Sequence, residues 1–333
     1  MKIENTTIYV NGQSVQTSCC MKNGYLMVPA LFFKYANVLV DYHRETHTVV
    51  FKKNTVLLVL CKEKYEACYS LDGTTNMQHD SLLSAPVEMN EVIYIPFYYV
   101  AQRLGMFIWF NSNISRTYLV TNSSKSWKSD LYYRGLTSEK KIALTFDDGP
   151  DNHYTSQILD ILSENNIPAT FFVVGQQIKW FPEIVKRIVR EGHALGNHSW
   201  SHPNFTKLTT PQVKEEILST EDEIISLTGN KPTLFRPPYG ECTEADFQMI
   251  DGLGYKLIMW SVDTLDWSGI SSEKILSIVK RDLSPGAIIL QHSIKTLPGV
   301  LDGTVKALPI IIHDLLNKGY EFVTVQKLLG IES

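Results

Sequence analysis

The hydrophobic pattern changes character partway along the chain. Before about residue 124 it consists of short β-prone runs broken by turn residues. Ile8-Tyr9-Val10-Asn11-Gly12-Gln13-Ser14-Val15 sets two such runs around Asn-Gly, a hairpin signal because both central residues must take positive φ. A weak internal repeat follows. Tyr25-Leu26-Met27-Val28-Pro29 leads through Leu31-Phe32-Phe33 to Val38-Leu39-Val40-Asp41-Tyr42. Ile93-Tyr94-Ile95-Pro96 leads through Tyr98-Tyr99-Val100 to Met106-Phe107-Ile108-Trp109. Each copy predicts a strand, a short helix opened by Pro, whose fixed φ suits a helix start, and a second strand. A Thr-containing strand then closes each copy, Thr48-Val49-Val50-Phe51 in one and Thr117-Tyr118-Leu119-Val120 in the other.

Beyond about residue 140, apolar runs alternate with amphipathic stretches. The predicted strands are Ile142 to Phe146, Ala169 to Val174, Ala194-Leu195-Gly196, Thr233-Leu234-Phe235, Lys256 to Val262, Ala287 to Leu290 and Glu321 to Val325. Helices are predicted near Thr155 to Asn165, from Pro182, from Thr209-Thr210, up to about Leu253, near Ser272 to Leu283, and over Val305 to Asn317. Such alternation builds βα units around a parallel sheet, open or closed into a barrel. The stretch from Ser123-Ser124-Lys125-Ser126 to about Lys140 is polar and lacks periodicity. It predicts a boundary: a first domain over 1–124, a linker over 125–139 and a second domain over 140–333.

Composition narrows the function classes without choosing one. The 333 residues are 44% apolar and 20% charged, as in a soluble protein with a real core. A formal net charge of -4 gives no electrostatic case for nucleic acid, which needs a basic patch or stripe. No apolar run is long enough to span a bilayer. Met1-Lys2-Ile3-Glu4-Asn5 shows no apolar signal segment, which leaves a cytoplasmic or spore-associated place open. Five cysteines, Cys19, Cys20, Cys61, Cys68 and Cys242, exclude a fully paired framework, and reduced or buried thiols are expected.

The chemistry-bearing residues of the second half gather at strand ends. Asp147 and Asp148 end one predicted strand, and alternation along a strand lets adjacent carboxylates take different jobs. His198 follows Ala194-Leu195-Gly196-Asn197, Arg236 follows Thr233-Leu234-Phe235, Asp263 ends Lys256 to Val262, and His292 follows Ile288-Ile289-Leu290-Gln291. In α/β barrels those ends converge on one face. His198-Ser199-Trp200-Ser201-His202 carries two imidazoles four apart, and with Asp148 they make the two-His, one-carboxylate set of a catalytic metal site with open positions. Arg236-Pro237-Pro238-Tyr239-Gly240 is a rigid loop whose guanidinium can fork onto a carboxylate. Asp263-Thr264-Leu265-Asp266-Trp267 adds two carboxylates and an apolar wall. His43 and His47 repeat the four-residue spacing in a polar turn between two predicted strands, where a solvated turn is expected.

Together these residues resemble the polysaccharide deacetylases, the NodB-type domain of carbohydrate esterase family 4. Its five motifs stand in order over about residues 140 to 330: Thr145-Phe146-Asp147-Asp148-Gly149-Pro150, His198 to His202, Arg236 to Gly240, Asp263 to Trp267, and Leu290-Gln291-His292. Gly196 to Pro203 and Ile258 to Asp263 look most like peptidoglycan N-acetylglucosamine deacetylases. The first part, over roughly residues 5 to 122, resembles the copper-amine-oxidase-type N-terminal domain, an accessory module of bacterial envelope proteins, and no copper site is inferred. The resemblance implies an α/β fold, a deformed (β/α) barrel preceded by a smaller β-rich α+β domain.

It also implies a metal-dependent removal of N-acetyl groups from a β-linked glycan. Asp148, His198 and His202 would hold one divalent ion, zinc first, although the same ligands accept cobalt, nickel or manganese. Asp147 would be the general base, held by Arg236; the backbone N–H of Tyr239 would face the oxyanion; His292, paired with Asp266, would be the general acid. Trp267 and Leu290 would line the acetyl pocket, beside Tyr239. The implied partner is peptidoglycan or a chitin-like oligomer at the bacterial cell envelope, with the N-terminal domain contacting the wall. A silent glycan-binding module and a deacetylase of another acetylated substrate are the alternatives. Many relatives carry Asp directly after the general-acid His; here Ser293 stands there.

Overall fold

The computed structural model describes residues 1–74, 76–111, 116–121, 131–294 and 297–331. The boundary signal at Ser123 to Ser126 lies outside them. The chain sorts into two compact units. One comprises Met1–Trp127 with Phe205–Val213 and Cys242–Met249; the other comprises Lys128–Asn204, Lys214–Glu241 and Ile250–Ser333.

The N-terminal unit is built from two sheets. Strands Glu4–Val10 and Gln13–Lys22 form the hairpin that Asn11-Gly12 predicts, with φ of 48° and 85° at the two turn residues. They sit in a sheet ordered Phe107–Asn111, Arg116–Val120, Glu4–Val10, Gln13–Lys22, Tyr25–Pro29, Val92–Pro96, Val87–Met89. The second sheet is an antiparallel meander of Leu39–His43, Thr48–Lys53, Val56–Cys61, Glu66–Ser70 and Gln78–Ser81. The two repeat copies therefore part company. After the 3-10 turn Ala30–Ala36 the chain enters the meander; after the helix Phe97–Arg103 it returns to the first sheet. Phe32, Phe33, Phe51 and Phe97 pack edge to face in the buried centre, a geometry that aromatic quadrupoles favour.

The other unit carries a parallel sheet, in the order Leu131–Tyr132, Lys256–Ile258, Leu234–Phe235, Ala194–Asn197, Thr170–Val173, Lys141–Asp147, Ile288–His292, Val262–Asp263. Glu321–Phe322 joins beside Lys141–Asp147. One expected strand, Lys256 to Val262, is broken. Its first half pairs with Leu234–Phe235 and its second with Ile288–His292. Between the halves the N–H of Met259 donates to Tyr132 O (2.8 Å) and that of Ser261 to Ile288 O (3.0 Å). A single segment thus bonds to both edges and curls the sheet into a deformed barrel. The expected strand Glu321 to Val325 also stops early, because the Thr324 hydroxyl caps a helix, Val325–Leu329, by accepting from Lys327 N–H (3.3 Å). A short helix, Gly175–Trp180, was not anticipated; a Cβ on Gly175 would lie 2.2 Å from the Trp200 ring.

Helices Tyr154–Asn165, Ser272–Asp282 and Asp302–Asn317 bury apolar faces against this sheet, with Ile158, Leu159, Leu162, Ile275, Val279, Leu308 and Ile311 in one cluster. Each such side chain contributes about 1.5–3 kcal/mol by leaving water. The strands are thereby anchored from outside, and their C-terminal ends all open on one face, as parallel pairing requires.

Candidate active site

Asp147 is the last residue of Lys141–Asp147 and is nearly buried; Asp148 follows with φ of 72°. That left-handed φ is uncommon outside Gly, Asn and Asp. Gly149 comes next because nothing larger fits: a Cβ there would lie 2.3 Å from Ser293 Oγ. The serine noted above is thus a packing residue. Its N–H and hydroxyl both donate to the Asp147 carbonyl, at 3.0 and 3.2 Å.

Asp148 Oδ1 lies 3.5 Å from His198 Nε2 and 3.2 Å from His202 Nε2. The three residues can place one ligand atom each within 4.8 Å of one another, so one cation fits among them. His198 Nδ1 is 2.7 Å from the carbonyl oxygen of Arg236. A carbonyl only accepts, so Nδ1 carries a hydrogen and Nε2 is the nitrogen turned toward Asp148, the orientation a metal ligand requires. Burial disfavours charge on Asp148. Its hydrogen bond with His198, then the fields of His292, His198 and His202, outweigh that and hold the carboxyl well below the usual range. A carboxylate that stays ionised and two imidazoles suit a divalent ion.

The loop from His198 to His202 is shaped by side chains that accept from its backbone N–H groups. Asn197 Oδ1 accepts from Ser199 N–H (2.9 Å), Ser199 Oγ accepts from His202 N–H (3.1 Å), and Glu216 accepts from the N–H groups of Trp200 and Ser201 (2.9 and 2.8 Å). Ser199 and His202 take φ of 69° and 57°. The His202 ring meets the Tyr239 ring edge to face at 4.7 Å.

Arg236 is fully buried, and each nitrogen of its guanidinium has a hydrogen-bond partner. Nη1 donates to Asp147 Oδ1 (2.6 Å) and Thr145 Oγ1 (2.9 Å), Nε to Ile258 O (3.2 Å) and Nη2 to Met259 O (3.0 Å). Its cation lies 4.1 Å from the Phe172 ring centre. Burial pulls the guanidinium below its ordinary value, and Asp147 opposes that pull. Arg236 fixes the rotamer of Asp147, whose Oδ2 stands 3.7 Å from His198 Nε2.

Opposite, His292 ends Ile288–His292. Asp266 Oδ1 lies 2.7 Å from its Nδ1, and Asp266 Oδ2 accepts from the His292 N–H (2.9 Å) and the Thr304 hydroxyl (2.9 Å). Burial favours the neutral ring, but the Asp266 hydrogen bond and charge, with Asp148 and Asp147 adding, raise its pKa above the ordinary imidazole value. A cavity of about 320 Å³ lies between these groups, lined by Asp147, Asp148, His198, His202, Tyr239, Trp267, Leu290 and His292 together with Pro237, Gly240, Trp260 and Asp263. Trp267 is half exposed and Leu290 buried. Arg236 and Asp266 stand one layer behind, each holding a residue that faces the cavity. Every site residue expected from the sequence is therefore in or directly behind one cleft. Sequence reasoning missed Trp260 as a wall, since it was counted inside a continuous strand. It also missed Thr145 and Thr304, whose hydroxyls steady Arg236 and Asp266.

An arginine-held carboxylate, three residues that could hold a cation and a carboxylate-paired imidazole thus surround one open cleft, an arrangement suited to hydrolysis. The polysaccharide deacetylase profile matches residues 134–258, and the copper amine oxidase N-terminal domain profile matches residues 9–119. A peptidoglycan-N-acetylglucosamine deacetylase of Bacillus cereus is 44% identical over 202 residues, which cover 60% of this chain and 73% of that protein. The peptidoglycan-N-acetylmuramic acid deacetylase PdaA of Bacillus subtilis is 37% identical, over 61% of this chain and 76% of its own. The crystal structure of the Bc1960 peptidoglycan N-acetylglucosamine deacetylase in complex with 4-naphthalen-1-yl-N-oxidanyl-benzamide aligns at a TM-score of 0.60. It is 42% identical and covers 62% of this chain and 95% of that one. The chain belongs to the polysaccharide deacetylase family.

Proposed function

We propose that this protein is a zinc-dependent deacetylase that removes acetyl groups from N-acetylglucosamine residues of peptidoglycan, working at the bacterial cell envelope. The observation that carries the reading is the meeting of two pairs and a triad around one cleft: Asp147 with Arg236, His292 with Asp266, and Asp148 with the two histidines. The similarity to wall deacetylases supports the substrate.

Asp148, His198 and His202 would hold the ion, which when bound would supply a Lewis acid for the acetamide carbonyl and for a water. The chain does the rest. Asp147, fixed by Arg236, accepts a proton as the water oxygen bonds to the carbonyl carbon. The backbone N–H of Tyr239 faces the oxygen that gains charge. His292 delivers its proton to the amide nitrogen as the C–N bond breaks, leaving acetate and a free sugar amine. Asp266 keeps that imidazole protonated. Trp267 and Leu290 enclose the acetyl methyl, and the Tyr239 and Trp260 faces border the sugar. Acetate release from purified peptidoglycan, chitin oligomers and muramic-acid fragments, with zinc and then cobalt, nickel and manganese, tests substrate and metal together. Release from none of them would sink the reading.

The N-terminal unit's contact with the wall belongs to the same proposal. Its cleft of about 580 Å³ is flanked by exposed Tyr98 and half-exposed Tyr25 and includes Asp80, Gln102 and Arg103, flat rings and planar polar groups suited to sugars. Tyr98→Ala should leave turnover of soluble oligomers unchanged and reduce cosedimentation with insoluble peptidoglycan; equal cosedimentation counts against the contact.

A further inference from the structure

Lys34 is the one fully buried lysine among the described residues, its side chain without solvent exposure, and nothing in the chemistry above uses it. Lysine is almost never fully buried without partners. It lies in the turn Ala30–Ala36 and spends its three N–H donors on one place. Nζ donates to Phe205 O (3.1 Å) and Leu208 O (2.7 Å) and pairs with Asp246 Oδ1 (2.7 Å). Asp246 Oδ2 in turn accepts from the Thr243 N–H (3.1 Å) and hydroxyl (2.6 Å) at the start of the helix Glu244–Gly252.

The partners are not scattered. Phe205 comes three residues after His202, and Thr243 four after Tyr239. They belong to the chain segments that leave the two active-site loops. Nearer the site the same loops touch twice, through the His202 and Tyr239 rings at 4.7 Å and through Asn204 Nδ2 donating to Glu241 Oε2 at 2.5 Å. The loops are thus tied at three levels, and the outermost tie is made by a residue far away in the sequence. Two carbonyls and a carboxylate converging on one ammonium fix a separation, which an apolar contact would not.

We propose that Lys34 is a positioning residue for the deacetylase site: it sets the spacing of the His202 and Tyr239 loops by gathering their outgoing segments onto one charge. The N-terminal residues are on this account an integral part of the enzyme as well as a wall contact. The inference rests on His202 being a metal ligand, and its test separates the two ideas.

The test uses the full chain. Lys34→Met with Asp246→Leu replaces the pair by apolar groups of similar size, an exchange that buried ion pairs tolerate without loss of fold. The double variant is expected to melt cooperatively near the parent temperature and to bind zinc, in competition with a chelator, roughly 10-fold more weakly, as when an outer support of a ligand is lost. Parent-like zinc affinity and kcat/KM in a folded double variant would overturn the role of Lys34. A parent that binds no zinc overturns the metal reading instead. Amide exchange on the unmodified chain covers the case in which the variant does not fold. Because coupling is reciprocal, zinc should slow exchange over residues 30–36, and no change there also overturns the proposal.

Discussion

His43 and His47 stand four residues apart, and so do His198 and His202, yet only the second pair meets a carboxylate in a shape that fits a cation. His43 is largely exposed, 3.5 Å from Asp41, and His47 Nδ1 lies 3.4 Å from the Tyr42 hydroxyl in a two-strand turn. His198 is buried, its Nδ1–H is spent on the Arg236 carbonyl, and its other nitrogen faces Asp148. Spacing is common to both pairs, so it carries little information alone. Place in the fold decides: one pair turns around at the edge of a meander, the other hangs from a parallel strand in a sheet that brings an orienting carbonyl from the end of the adjacent Leu234–Phe235 and a carboxylate from the end of Lys141–Asp147 to the same point.

The comparison breaks first at His198. His198→Ala should empty the metal site, measured as zinc per chain, and cut acetate release by about a thousandfold or more, since the ion supplies several kcal/mol. Retained zinc and turnover would mean that the pair is no different from His43 and His47. Asp147→Asn sharpens the other side of the site. It keeps an acceptor for Arg236, so zinc content should stay at the parent level while kcat falls by about 10²–10⁴, the range of a lost general base. Loss of zinc instead would place Asp147 among the ligands.

A smaller effect is expected at Asp266→Asn, and its sign follows from the raised pKa of His292. A general acid works below its pKa, so with His292 in that role the parent's activity should extend to higher pH than an ordinary imidazole allows and fall as pH rises further. Removing the Asp266 charge lowers that pKa, so the alkaline limb of kcat/KM should move to lower pH, with about a tenfold to hundredfold loss near neutrality. An unmoved limb would take His292 out of the acid role. Smallest of all, His43→Ala with His47→Ala should leave zinc content and kcat unchanged and alter stability by no more than about 0.5 kcal/mol, read from thermal unfolding.

Much of the cleft was legible because motif residues lay at strand ends, and parallel strands bring those ends together. The residues that hold the cleft in shape were harder to read. Lys256 to Val262 is one unbroken apolar run, and nothing in such a run says that its middle will bond to Tyr132 on one side and Ile288 on the other. Trp260 was hidden by that. Thr145 and Thr304 look like ordinary strand and helix residues; only their distances to Arg236 and Asp266 give them meaning. In the N-terminal unit the repeat foretold its own elements but not the meander strands Val56–Cys61 to Gln78–Ser81, whose partners come from pairing rather than from pattern. Lys34, set among Leu31, Phe32 and Phe33, reads as a lone surface charge until its three acceptors are found.

Arg236 serves the two sides of the cleft with different atoms: its guanidinium grips Asp147, and its main-chain carbonyl aims His198. The carbonyl is present whatever side chain the position carries. A change of side chain at 236 therefore loosens the base and leaves the ligand aimed. On the proposed reading, holding the base and aiming the metal ligand fall to separate atoms of one residue, so a single codon change at 236 would silence the catalyst and leave the metal site in place.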